Sequence, residues 1–189
     1  MGTEIEAKVR VLTHEGVRER LRSVGAVCEG VTRETNTFLD TVDRALLGEG
    51  RGLRIRVNER EAGEEVVVTY KGAKGGEGGG DGVKSREEIE VVVDDRGAAV
   101  ELLGRLGFGV TLSFEKVRET WRLGGAEVVL DTLPHLGLFV EVEAGTEVEV
   151  REALGRLGLG EAEMVKESYI RMIAEWIGAN APGTTVVTF

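Results

Sequence analysis

Most of the eight strand-like segments of this 189-residue chain alternate charged or polar with apolar residues, and that alternation limits the folds open to it. The segment EIEAKVRV near the start puts Glu4, Glu6 and Lys8 at every second position, with Ile5, Ala7 and Val9 between them. Alternate side chains of a β-strand point to opposite faces, so this stretch carries a charged row on one side and an apolar row on the other. The pattern returns in RETNTFLDT (33–41), GLRIRVNE (52–59), EEVVVTYK (64–71), KSREEIEVVV (84–93), VTLSFEKVRETWRL (110–123), AEVVLDT (126–132) and GLFVEVEA (137–144). Arg54 and Arg56 oppose Leu53, Ile55 and Val57; Thr69 and Lys71 oppose Val66, Val68 and Tyr70. Arg86, Glu88 and Glu90 oppose Ile89 and Val91, Lys116 and Arg118 share a face, and Glu141 and Glu143 oppose Val140 and Val142.

Helical periodicity fills the gaps between these strands. Thr13 can cap a helix that buries Val17, Leu21 and Val24 and closes at Gly25. Asp94 or Asp95 starts a second helix with Val100, Leu103 and Leu106 on one side; a third runs over 147–157 and a fourth over 166–177, with Ile170, Ile173 and Ile177 inward. The three strands that carry EIE (4–6), EIE (88–90) and EVE (141–143) are each followed by a helix, a short internal echo. The chain reads as one domain over residues 1–178 with an irregular C-terminal tail over 179–189. Residues 72–82, GAKGGEGGGDG, read as a mobile loop between two strands, because the spacing of a phosphate-cradling loop is missing and no helix pattern follows.

Composition removes several classes of function. A net charge of −10 and a pI near 4.9 argue against a nucleic-acid backbone as the partner. No apolar run is long enough for a membrane span or a signal segment, so the expectation is a cytoplasmic protein, with a homodimer as the commonest closed assembly. The single cysteine, Cys28, cannot form an internal disulfide and is expected to be a buried thiol near a helix end. His14 and His135 are the only histidines and offer no zinc or triad signature.

The helices can cover the apolar sides of the strands, which leaves the charged sides over. Those rows face solvent, or the sheet curls and they line an interior; an antiparallel barrel of about eight strands would have no edges and would enclose such a lumen. Buried charge costs several kcal/mol per ion unless it is compensated, so a charged lumen calls for a ligand. Lys8, Arg54, Arg56, Lys71, Arg86, Lys116 and Arg118 supply more positive charge than one carboxylate needs, and the arginine fork fits phosphate oxygens. Glu4, Glu6, Glu88, Glu90, Asp131, Glu141 and Glu143 would repel a polyphosphate directly but suit Mg²⁺ or Mn²⁺, which bridges carboxylate and phosphate.

ExExK at the start, LRIR, the TYK strand, REEIE, KVR, LDTLPHLGLFVEVE and KESYIRMI, taken in this order, resemble the CYTH superfamily, which groups class IV adenylyl cyclases with thiamine triphosphatases. The resemblance spans about residues 3–175. It implies an α+β fold: an antiparallel eight-stranded β-barrel, called a triphosphate tunnel, with flanking helices. It also implies dependence on Mg²⁺ or Mn²⁺. The substrate it implies is ATP, converted to cyclic AMP and pyrophosphate, with hydrolysis of inorganic triphosphate, thiamine triphosphate or a nucleoside triphosphate as the alternative. By match, Glu4, Glu6, Asp131, Glu141 and Glu143 become metal ligands, with Glu88, Glu90 and Asp40 as further metal or lumen residues. Lys8, Arg54, Arg56, Lys71, Arg86, Lys116 and Arg118 become phosphate ligands, and Lys8, Lys71 and Arg118 carry the catalytic assignment. Where members often read DTYFD this chain reads NTFLD (36–40), so Phe38 stands in place of a phenol.

Overall fold

The computed structural model of the chain describes residues 2–73 and 84–189, and of residues 2–4 and 84–86 it describes the backbone only. The side chains of Glu4 and Arg86 and most of the glycine-rich stretch therefore lie outside the described residues. Nine strands and five helices follow in the order β1 (Gly2–Val11), α1 (Glu15–Ser23), β2 (Val27–Asp40), α2 (Ala45–Gly48), β3 (Gly52–Arg60), β4 (Gly63–Lys71), β5 (Lys84–Val93), α3 (Arg96–Arg105), β6 (Gly109–Leu123), β7 (Ala126–Leu133), β8 (Gly137–Ala144), α4 (Glu147–Arg156), α5 (Tyr169–Asn180) and β9 (Val186–Val187).

The antiparallel order is β2-β3-β4-β5-β1-β8-β7-β6, and β6 pairs again with β2 from Val27↔Arg122 to Asp40↔Gly109. Each of the eight long strands thus has two partners, and the ladder returns to where it began. The alternation of charge is the reason this arrangement is stable. Ile5, Ala7, Val9, Val128, Leu130, Val140 and Val142 turn outward and pack under α1 and α4 with Leu21, Val150 and Leu154. Leu53, Ile55, Val57 and Val66 do the same beneath α2 and α3. Burying a side chain of this kind contributes roughly 1.5–3 kcal/mol, so the helices hold the strands from outside and leave the inner face to the polar rows.

A third cluster lies on the inner face and plugs one end. Leu112, Phe114, Leu133 and Phe139 have the same strand parity as the charged residues, and α5 inserts Tyr169, Ile173 and Ile177 among them. The three strands of the EIE, EIE and EVE echo are β1, β5 and β8, which are neighbours in the barrel, and each is followed by a helix.

Some expectations differ from what is observed. The strand expected at 33–41 begins at Val27, so Cys28 is exposed on β2 and not a buried thiol near a helix end. The helix expected at 166 begins at Tyr169 and continues to Asn180. The stretch expected to be irregular ends in β9, which pairs parallel with β6 at Ser113 and Phe114. Asp95, not Asp94, caps α3, its carboxylate accepting the Ala98 N–H at 2.6 Å. Among the described residues no helix is long and apolar enough to cross a membrane.

Candidate active site

β1, β2, β3, β4, β6 and β8 converge their inner-face residues on a chamber of about 110 Å³. Its wall holds six cations, Lys8, Arg54, Arg56, Lys71, Lys116 and Arg118, against two carboxylates, Glu6 and Glu141; Asn36, Phe38, Phe114 and Tyr169 complete most of the remainder. All six cations are among the residues predicted from the sequence. Alternation explains their meeting, because even-numbered positions of β1, β2, β3 and β6 and odd-numbered ones of β4 and β8 all face inward once the barrel closes.

The counter-charges stand behind this wall. Asp131 is fully buried; Arg118 donates to it from Nε at 2.8 Å and from Nη2 at 2.6 Å, and Lys116 donates at 3.2 Å. Burial opposes ionisation of Asp131, yet Arg118 and Lys116 hold its carboxyl far below the usual carboxylate range. Arg118 also donates to Glu141 at 2.6 Å. Burial lowers the Arg118 guanidinium, but Asp131, Glu34 and Glu141 outweigh it and leave it raised well above the ordinary value. Lys116 is lowered, first by burial and then by Arg118.

Glu34 stands behind this wall although the sequence did not single it out. It is 2% exposed and lies 3.1 Å from Arg56, 3.4 Å from Lys116 and 3.6 Å from Arg118. Burial raises its pKa, but Lys116, Arg56 and Arg118 bring it down to about 2. Its position on β2 is hard to read because Glu34, Asn36 and Phe38 alternate with Thr35, Thr37 and Leu39, and neither row is cleanly apolar.

Arg54 is held differently. It is 9% exposed, donates to Thr69 at 3.2 Å, and has Glu90 at 3.8 Å. Among the described residues its buried Nε has no hydrogen-bond partner, and burial, with Arg56 adding to it, pushes the guanidinium down to about 9. A cation left in this condition favours an incoming anion. Lys8 contacts Glu141 at 3.2 Å and the Glu167 carbonyl at 3.1 Å, and its ammonium lies 3.6 Å from the centre of the Tyr169 ring. Lys71 pairs with Glu88, and Thr69 donates to Glu90 at 3.0 Å, so these two glutamates of β5 serve basic or hydroxyl neighbours.

The acidic side of the tunnel is a separate small space of about 20 Å³ lined by Glu6, Glu127, Glu141, Glu143, Arg118 and Val129. Glu6 pairs across the strands with Glu143, and Glu143 with Glu127, which sets three carboxylates abreast on β1, β8 and β7. Like charges directly opposite one another destabilise a sheet, and a set of hard oxygens is the chemistry that a divalent cation satisfies. Among the described residues no three acidic, histidine or cysteine side chains are already gathered around one point as a metal cage. Asp131 is committed to Arg118 and Lys116. Asp40 lies outside the set altogether: it does not line the chamber, and its carboxylate accepts N–H groups from Thr41 at 2.7 Å and from Leu46 and Leu47 at 3.0 Å each, capping α2.

Residues 2–169 match the profile of the CYTH domain. The chain belongs to the CYTH family. The chain is 27% identical over 178 residues to a Methanocaldococcus jannaschii protein named putative adenylate cyclase MJ0240, covering 89% of this chain and 97% of that one. The fold matches the structure of the PH1819 protein of Pyrococcus horikoshii OT3 with a TM-score of 0.74 at 29% identity, over 91% of this chain and 98% of the other. A Hippeastrum protein, HpAC1, described as a putative adenylyl cyclase with a dominant triphosphatase activity, shares the fold with a TM-score of 0.68 at 20% identity, over 93% of this chain and 96% of the other.

Proposed function

We propose that the tunnel binds the triphosphate tail of a nucleotide together with Mg²⁺ or Mn²⁺ and acts as a class IV adenylyl cyclase-like enzyme. The observation that carries this reading is the chamber wall, where a ligand meets six cations and two carboxylates inside a protein whose net charge is −10. Local basic charge of this density, confined to the lumen of an acidic molecule, selects a compact polyanion over an extended one. Arg54, Arg56 and Arg118 offer planar forks to phosphate oxygens, and Lys8, Lys71 and Lys116 add point charges around them.

Glu6, Glu141 and Glu143 would hold the metal. Their oxygen donors fit a hard divalent cation, which when bound neutralises phosphate charge and fixes the tail relative to the carboxylates. The residues of the chain contribute positioning and charge compensation, the two effects on which phosphoryl transfer chiefly depends. In the cyclase reaction the ribose 3′-oxygen forms a bond to the α-phosphorus as the bond to pyrophosphate breaks, and the hydroxyl proton leaves to solvent. Arg118 and Lys116 are placed to stabilise the charge that accumulates on the departing pyrophosphate.

The same chamber with water as nucleophile would make a triphosphatase, and the activity described for HpAC1 favours keeping this second reading. Incubation of the purified protein with ATP, inorganic triphosphate and thiamine triphosphate under Mg²⁺ or Mn²⁺, with products resolved by anion exchange, separates the two. Cyclic AMP formed one-for-one with pyrophosphate is the expected outcome. Orthophosphate without cyclic AMP would transfer the assignment to hydrolysis, and no metal-dependent turnover of any of the three would refute both.

A further inference from the structure

The segment KESYIRMI has no part in the assignments above, yet its centre stands in the chamber wall. Ser168, Tyr169 and Ile170 border the same space of about 110 Å³ as the six cations. They are the cap and the first residues of α5. The segment leading to them is tied to β1: the Lys8 carbonyl accepts the Val165 N–H at 2.8 Å, and the Lys8 ammonium donates to the Glu167 carbonyl at 3.1 Å. Ile173 and Ile177 bury the helix beyond, so its N-terminus is held against the chamber.

A helix begins with N–H groups that have no partner within it. The first bond of the α5 ladder runs from the Met172 N–H to the Ser168 carbonyl at 3.1 Å, which leaves the N–H groups of Tyr169, Ile170 and Arg171 ahead of it. In α3 and α4 the cap side chain takes up one such group: Asp95 accepts the Ala98 N–H and Thr146 the Glu149 N–H. Ser168 makes no such bond, although serine is among the best capping residues, and the first turn of α5 carries no acid. Other donors of the same wall also lack acceptors. Arg54 and Tyr169 are each 9% exposed, and the Arg54 Nε and the Tyr169 hydroxyl have no hydrogen-bond partner among the described residues. Burial, then Asp131 and Glu141, raise the phenol well above its ordinary pKa, so it stays a donor. An excess of buried donors over acceptors, beside a helix N-terminus of positive partial charge, is a setting that favours an anion. A phosphoryl group supplies both the charge and several acceptor oxygens.

We propose that the first turn of α5 is a phosphate subsite of the chamber, where the Ser168 hydroxyl and the leading N–H groups donate to phosphoryl oxygens as neutral donors among the cations. The subsite rests on the triphosphate reading of the chamber and adds a binding element from outside the barrel strands. Two helix caps provide the test, because they should respond in opposite ways. Calorimetric titration with inorganic triphosphate and Mg²⁺, and urea unfolding of the free protein, would be run on the wild type, Ser168→Ala and Thr146→Ala. Ser168→Ala is expected to weaken the triphosphate about 10-fold, the loss of one hydrogen bond to a charged group, and to leave the urea midpoint unchanged because no capping bond is removed. Thr146→Ala removes a formed cap outside the chamber wall, so it should lower the midpoint and keep the affinity within about 2-fold. A Ser168→Ala protein that binds triphosphate within about 2-fold of wild type overturns the subsite, and a lowered midpoint with that result would make Ser168 an ordinary cap like Thr146. Affinity lost in Arg54→Ala but kept in Ser168→Ala would remove the subsite and leave the chamber standing. Failure of the wild type to bind triphosphate at all would overturn the chamber reading, and the subsite with it.

Discussion

Glu34→Gln gives the most direct test of the idea that a carboxylate buried behind the chamber wall holds the tunnel together. The side chain is almost fully enclosed by Arg56, Lys116 and Arg118 and receives the Asn36 amide at 3.3 Å. A carboxyl held at about 2 against an ordinary 4.5 corresponds to roughly 3 kcal/mol of stabilisation of the charged form, in line with the roughly 3–5 kcal/mol lost when one partner of a buried pair is removed. Glutamine keeps the shape and removes the charge, so urea unfolding at neutral pH should show a loss of about 3 kcal/mol with an unchanged slope. The folded pKa lies below the unfolded one, so the unfolded chain takes the proton first. The contribution is complete above about pH 4.5 and fades as pH falls towards about 2, and the gap between wild type and variant should close over that window. Inorganic triphosphate with Mg²⁺ at about 100 times its Kd adds about 2.7 kcal/mol to a protein that binds it. The increment should be larger in the variant, because the anion there also compensates cations that have lost Glu34. A variant within about 0.5 kcal/mol of wild type at neutral pH, or a deficit that persists unchanged at pH 2, would refute this account of the tunnel.

Three further outcomes follow from the same geometry. Arg54→Ala should weaken triphosphate binding by about 1.5–3 kcal/mol, and progressively less for diphosphate and phosphate; equal affinity across the three ligands in calorimetry would contradict a convergent chamber. Glu6→Gln should cut metal-dependent turnover about 100-fold or more with the unfolding midpoint retained, and Glu141→Gln should do so with some loss of stability, because Glu141 also holds Lys8 and Arg118. Asp40→Ala should cost about 1–2 kcal/mol in urea through the lost cap of α2 and leave kcat unchanged; a large fall in kcat would return Asp40 to the site.

The division between what could be read from the chain and what could not has a physical cause. Period-two alternation fixes which side of a strand is apolar, so the rows of Lys8, Arg54, Arg56, Lys71, Lys116, Arg118 and Glu141, the eight strands and the outward-facing cores were all legible in one dimension. Closure was not. The same rows could have faced solvent on an open sheet, and the β2–β6 ladder that turns them inward joins residues far apart in sequence. Glu34 escaped notice because β2 is polar on both faces. Asp40 was placed with the lumen residues because the four-residue helix it caps is too short to show a period. Asp131 lay on the predicted acidic row, but only the register Arg118↔Asp131 across β6 and β7 shows that its oxygens are committed to cations. The sequence by itself determined an alternating charged face and the kind of ligand such a face would need. The tertiary structure decided that the face is a lumen and which carboxylates neutralise which cations, because these depend on distances between strands that no local pattern encodes.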